Sequence, residues 1–210
     1  MAVCQTFPLC QRLREEQLCT SAAVNFRLHL GSRIVRALKG ISELGQKATY
    51  QTFDEVGLEG VFMYVVADGV KQDPVRRWSL PDRVFFACGA CHILAFAFLK
   101  AYPQSGFAPL WIKPSKGFTG NHIVVVRDDM AFDYHGFSSW SHLFGHIEAK
   151  ANRWWPGWSA QLIPLPMEVL ISESKSREYD GLWLREPKQF LHDAMPRAEQ
   201  CLRRFPRPPE

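Results

Sequence analysis

The chain has 210 residues, 47% of them hydrophobic and 22% charged, a balance that supports a packed core and excludes an intrinsically disordered segment. Its formal charge is only +4. Basic residues are scattered apart from Arg27, Arg33, Arg36 and Lys39 and the tail around 203–207, too weak a pattern to support nucleic-acid binding. No apolar run approaches bilayer length, and the start, MAVCQTFPLCQRLREE, has no basic-then-apolar leader, so neither membrane insertion nor export is expected. Six unevenly spread cysteines in a chain too long to need disulfide staples fit a reducing, cytoplasmic compartment.

In chain order, Cys4, Cys10 and Cys19 miss the close-paired spacing of a structural zinc site. Over 21–38, Val24, Leu30, Ile34, Ala37 and Leu38 recur at helical spacing and Gly40 follows, which predicts an amphipathic helix with a solvated basic face. Thr52 followed by Glu55 has the form of a capping box and predicts a second helix through Leu58, Phe62, Val65 and Val66. The stretch KQDPVRRWSLPDR is expected to be loop. A brief apolar run at 84–87 then leads into CGACHILAFAFLKAY, a helix that must end before Pro103. Ile93, Leu94, Phe96, Ala97, Phe98 and Leu99 leave it no polar face, so it is expected to be buried on nearly all sides.

Strands are expected over 107–112, 122–127 and 130–134, the last two joined by a turn at Asp128 and Asp129. Beyond Gly136 the aromatics Trp140, Trp154, Trp155 and Trp158 mark a loop. A strand over 161–165 and a closing helix over 187–205, kinked at Pro196, complete the pattern before a proline-rich tail. No internal repeat is present.

The chemistry concentrates on Cys91, His122 and Asp133. A thiol attacks only as the thiolate, and the N-terminus of a helix together with a neighbouring imidazole favours that anion. Cys91 opens the apolar helix. A turn at Asp128 and Asp129 keeps position sums constant across the hairpin, so Val126 faces Ala131 and Val124 faces Asp133. His122 and Asp133 then share one face as diagonal neighbours, roughly 7–8 Å apart at the backbone, within reach of a carboxylate that orients the ring. A slip of one residue would send Asp133 to the other face.

The segments GACHILA, GNHIVVV and AFDYHG, in that order, resemble the papain-like and transglutaminase-like superfamily of cysteine enzymes over about the middle quarter of the chain. By that resemblance Cys91 is the nucleophile, His122 its base and Asp133 the orienting acid. The resemblance implies an α+β fold with a papain-like core, the nucleophile's buried helix packed on a small antiparallel sheet, and helical extensions at both ends. In these terms 1–75 is a helical N-terminal region, 76–170 the catalytic core, and 171–210 a C-terminal helix with its tail, together one compact unit. The implied activity is hydrolysis or acyl transfer at an amide or isopeptide bond through a thioester, on a protein or peptide substrate and with no cofactor. No tryptophan follows the cysteine and no glutamine motif precedes it, which leaves backbone N–H groups at Cys91 and its neighbours to bind an oxyanion. The arginine- and glycine-rich cysteine motif of arylamine acyltransferases is absent.

Other readings use the same residues. CGAC after an apolar run and before a helix also resembles a thioredoxin-like redox motif built on Cys88 and Cys91, although hairpin strands follow it in place of a strand–helix crossover. Cys91, His122, Asp133 and His135 could ligate zinc. His142 and His146 stand four apart without the glutamate of a metalloprotease helix, and Gly145 disfavours a helix there. As structural residues, Cys88 and Cys91 would be small core hydrophobes, His92 a packing residue and the tryptophans core or lid.

Overall fold

The computed structural model describes residues 50–53 and 63–210. The helix expected over 21–38 and the cysteines Cys4, Cys10 and Cys19 lie outside the described residues. Tyr50–Phe53 (β1) and Met63–Val66 (β2) pair antiparallel, with Thr52 opposite Tyr64. This corrects the helix expected from Thr52 to Val66. Thr52 stands inside a strand instead of capping a helix, and YQTF and MYVV carry the β-branched and aromatic residues that suit a pleated surface.

The stretch expected as loop holds two short helices, Pro74–Trp78 (α1) and Asp82–Ala87 (α2). Prolines stand at the start of both helices. Pro74 occupies the first turn of α1, where a missing N–H costs nothing, and the Asp73 carboxylate accepts the N–H groups of Val75 and Arg76 at 2.9 and 3.0 Å. The run at 84–87 is therefore helical, with Val84, Phe85 and Phe86 buried.

Cys91–Ala101 (α3) ends on Tyr102, before Pro103, as the sequence predicts. Ile93, Leu94, Ala95, Ala97, Phe98 and Leu99 are buried, and Phe98 stacks on Phe132 with ring centroids 4.6 Å apart. The sheet beneath α3 has five strands: Ala108–Pro114 (β3), His122–Arg127 (β4), Met130–Asp133 (β5), Gly136–Ser139 (β6) and Ala160–Pro164 (β7). Their spatial order is β6-β5-β4-β3-β7, every neighbouring pair antiparallel. Alternation along the strands divides the core in two. Trp111, Ile123, Val125 and Phe132 join the cluster that contains α3, whereas Ile112, Val124 and Ala131 join Leu143, Ala151 and Trp158 on the other face.

That second face is covered by Trp140–Trp154 (α4). It and β6 replace the loop expected around the tryptophans. The Ser139 hydroxyl accepts the His142 N–H at 3.2 Å and so caps α4, and burial of Leu143 and Ala151 outweighs the helix cost of Gly145. Ser139→Ala is expected to lower stability by about 1 kcal/mol in urea unfolding; no change would mean that the cap does not form.

A 3-10 turn, Met167–Ile171, and one helical turn, Glu173–Ser176 (α5), lead to a second 3-10 turn at Pro187–Gln189 and the helix Ala194–Leu202 (α6). The closing helix is thus shorter than the 187–205 expected. Asp193 caps it, and Pro196 sits in its first turn where no intrahelical N–H is needed, so no kink arises. Ala194, Ala198, Cys201 and Leu202 share the α3 cluster, and Arg197 bonds Asp82 at 2.8 Å and the Trp78 carbonyl at 2.6 Å. Residues on both sides of 170 therefore belong to one core, within the compact unit Gln46–Glu210. The described architecture is α+β.

Candidate active site

Cys91 is the first residue of α3, preceded by Ala90, which has no side chain to cap the helix. It keeps partial solvent exposure while the residues after it are buried. The turn before it depends on Gly89, whose φ of 111° favours glycine. A Cβ at Gly89 would stand 2.9 Å from Arg77 Nη2, the atom that donates to the Gly89 carbonyl at 2.7 Å.

The β4–β5 hairpin has the expected register: Val125 opposite Phe132, Val126 opposite Ala131 and Arg127 opposite Met130. Asp128, with φ 51°, supplies the left-handed residue of the two-residue turn. His122 therefore opens β4 where Asp133 closes β5, and both are buried. His122 Nε2 donates to Asp133 Oδ2 at 3.1 Å. The other oxygen, Oδ1, accepts the His135 backbone N–H at 2.8 Å and lies 3.1 Å from His135 Nδ1.

A carboxylate only accepts, so His122 carries a proton on Nε2 and its Nδ1 is the nitrogen left for sulfur. Cys91, Ile123, Phe132, Asp133 and Tyr134 line a common hollow, and the His122 ring meets Tyr134 at 5.4 Å.

The electrostatics follow from these contacts. Burial pushes the Cys91 thiol up, but the neighbouring imidazoles of His122 and then His92 outweigh it and bring the thiol down to about 5. Burial alone would lower His122; Asp133 and then Cys91 reverse this and raise it to about 10. Asp133 is opposed by burial yet held below the usual carboxylate range by hydrogen bonds to His122 and His135. These directions favour a thiolate and an imidazolium beside an ionised carboxylate.

A pH dependence of folding follows from these two values. The raised His122 contributes stability that is complete below its unfolded value of 6.5 and lost as pH rises towards about 10. The lowered Cys91 contributes stability that is complete above its unfolded value of 9.0 and lost as pH falls towards about 5. Their sum is flat from 6.5 to 9.0 and falls off on both sides. Cys91→Ser leaves Asp133 still raising His122, so urea unfolding of the wild type minus Cys91→Ser should isolate the thiol's part and shrink as pH falls from 9.0 towards about 5; a difference independent of pH from 5 to 9 would exclude the ion pair.

The other candidates are placed differently. Cys88 is buried, its thiol donates to the Tyr64 carbonyl at 3.5 Å, and burial pushes it up, a poor setting for an attacking thiol. Cys88 and Cys91 are both free. Among the described residues no group of three or more His, Cys, Asp and Glu is arranged to hold a metal ion; His122 Nε2 and His135 Nδ1 both turn to Asp133. His92 is buried and its Nε2 donates to the Arg185 carbonyl at 2.9 Å. His142 and His146 lie on α4, whose Leu143 and Ala151 pack in the opposite core layer. Trp158 is buried, whereas Trp154 is 41% exposed.

The sequence considered His135 only as a zinc ligand, not as a second imidazole on Asp133, and assigned no role to Arg77 under the Gly89 turn. His135 had a visible signal: it stands two residues after the acid, ahead of Gly136, a spacing that lets a carboxylate accept the later N–H. Arg77 had none, since twelve residues separate it from Gly89. Among the described residues no helix is long and apolar enough to cross a membrane. Comparison with family models, with curated proteins and with solved structures finds no match to this chain.

Proposed function

We propose that this chain is a cysteine-nucleophile hydrolase or acyl transferase with a papain-like catalytic core, acting on an amide or isopeptide bond of a protein or peptide. The observation that supports it is one imidazole serving two groups: its Nε2 donates to the Asp133 carboxylate at 3.1 Å, and the ring lowers the Cys91 thiol. A core histidine with a structural role needs only one such partner. The Cys91 thiolate attacks the carbonyl carbon, the C=O electrons move to oxygen, and the N–H groups of the uncapped first turn of α3 receive the oxyanion. His122 Nδ1–H then protonates the leaving amine as the C–N bond breaks, leaving a thioester on Cys91 and a neutral imidazole. That imidazole deprotonates water or an acceptor amine, which displaces the thiolate and restores the starting state.

4-Nitrophenyl acetate tests this reading. Wild-type protein should release a burst of nitrophenolate equal to the protein present and carry a hydroxylamine-labile acetyl group on Cys91. Cys91→Ser should show neither, and at pH 5.5 His122→Ala should acylate about 40-fold more slowly. Acetylation spread over other thiols, or an unchanged acylation rate in His122→Ala at pH 5.5, would refute it.

A further inference from the structure

We propose that Arg77 is a positioning residue for the nucleophile: by gripping the Gly89 carbonyl it fixes the turn that carries the Cys91 sulfur into the site. This deepens the cysteine-enzyme reading and rests on it. Arg77 Nη2 donates to the Gly89 carbonyl at 2.7 Å, two residues before Cys91. A trans peptide unit is planar, so holding that oxygen fixes the Gly89–Ala90 plane and the direction in which the chain enters α3. The two residues between Cys88 and Cys91 have little hold of their own. Gly89 has no side chain, its φ of 111° is a region that glycine enters and leaves freely, and Ala90 gives α3 no side-chain cap.

The grip itself is firmly seated. Arg77 lies in α1, whose first turn is capped by Asp73 at 2.9 and 3.0 Å. Its guanidinium carbon stands 4.5 Å over the Phe190 ring, and Phe190 rests against Phe85 of α2 with ring centroids 5.3 Å apart. The turn ahead of the nucleophile is thereby tied to packed side chains from three other parts of the fold.

Stability alone gives little reason for a cation here. Arg77 is only 6% exposed, its buried Nε has no hydrogen-bond partner, and its Nη2 bond goes to a carbonyl instead of an acid. The acids close to it in the chain are engaged elsewhere, Asp73 in capping α1 and Asp82 with Arg197 and Arg204. Burial pulls the guanidinium down to about 10. An apolar side chain of similar length would avoid that desolvation cost, and the carbonyl of the exposed Gly89 could turn to water. What an apolar side chain cannot do is hold that carbonyl in one place.

Arg77→Met, treated with 4-nitrophenyl acetate and with iodoacetamide, separates positioning from folding. Acylation needs the sulfur aligned with His122 and the N–H groups of α3, whereas alkylation needs only a thiolate. At pH 8, where Cys91 is ionised, Arg77→Met should acylate about tenfold more slowly, the order expected for a sulfur displaced by a fraction of an ångström. Iodoacetamide should alkylate it at the wild-type rate, and its melting temperature should not fall. Arg77→Lys, which keeps a cationic donor of similar reach, should recover part of the acylation rate. Wild-type acylation in Arg77→Met, an equal loss with both reagents, or a melting temperature well below the wild type would overturn the positioning role and leave the cysteine-enzyme reading intact. Failure of the wild type to acylate on Cys91 would overturn that underlying reading.

Discussion

Replacing His122 with alanine is expected to move the midpoint of Cys91 alkylation from about pH 5 to the ordinary thiol value of 9.0 or above. The rate consequence depends on pH, because two effects oppose each other. At pH 5.5 about three-quarters of the wild-type sulfur is thiolate, against roughly three parts in ten thousand for a thiol titrating at 9.0. The more basic thiolate is about 60 times the better nucleophile for a Brønsted slope near 0.45, so the net loss is about 40-fold. At pH 7 the same arithmetic leaves a loss of only about twofold. An assay at neutral pH would therefore miss most of the effect. Alkylation with iodoacetamide from pH 4.5 to 9.5, with Cys91 quantified by mass spectrometry, reads both midpoint and rate. An unchanged midpoint in His122→Ala would show that the imidazole does not act on the sulfur.

Asp133→Asn should be the most destabilising conservative change at the site, by about 3–5 kcal/mol in urea unfolding at pH 7. The carboxylate receives three groups: His122 Nε2, the His135 backbone N–H and His135 Nδ1. An asparagine presents one oxygen and an NH2 group, so at least one of these partners faces a donor inside the core. The cost comes from leaving a buried charge and its partners unsatisfied. The Cys91 midpoint should also rise, but less than in His122→Ala, because the ring stays beside the sulfur. A loss below about 1 kcal/mol would mean that the buried network contributes little.

Much of this site was readable from local rules. The constant sum across a two-residue turn gave the hairpin register, and with it the placement of His122 near Asp133. The unbroken apolar run from Ile93 to Leu99, closed by Pro103, gave α3. Reading failed where two rules gave opposite answers. KQDPVRRWSLPDR reads as loop, yet Pro74 and Pro81 stand at helix starts, where proline is favoured. Thr52 and Glu55 have capping-box spacing, yet YQTF and MYVV pair as strands, because cross-strand pairing outweighs a short local signal. Gly145 and the clustered tryptophans argued against α4, whose stability comes from Leu143 and Ala151 packing on the sheet. Arg77 was invisible beneath the Gly89 turn because twelve residues separate the two in the chain.

Ultraviolet absorbance of the thiolate, titrated for the wild type and subtracted by Cys91→Ser, tests the ion pair without any reagent or substrate. A single step with its midpoint near pH 5 is the expected result. A step near the ordinary value of 9.0 would contradict the account, since Cys91 would then rest as a neutral thiol beside a histidine that does nothing for it.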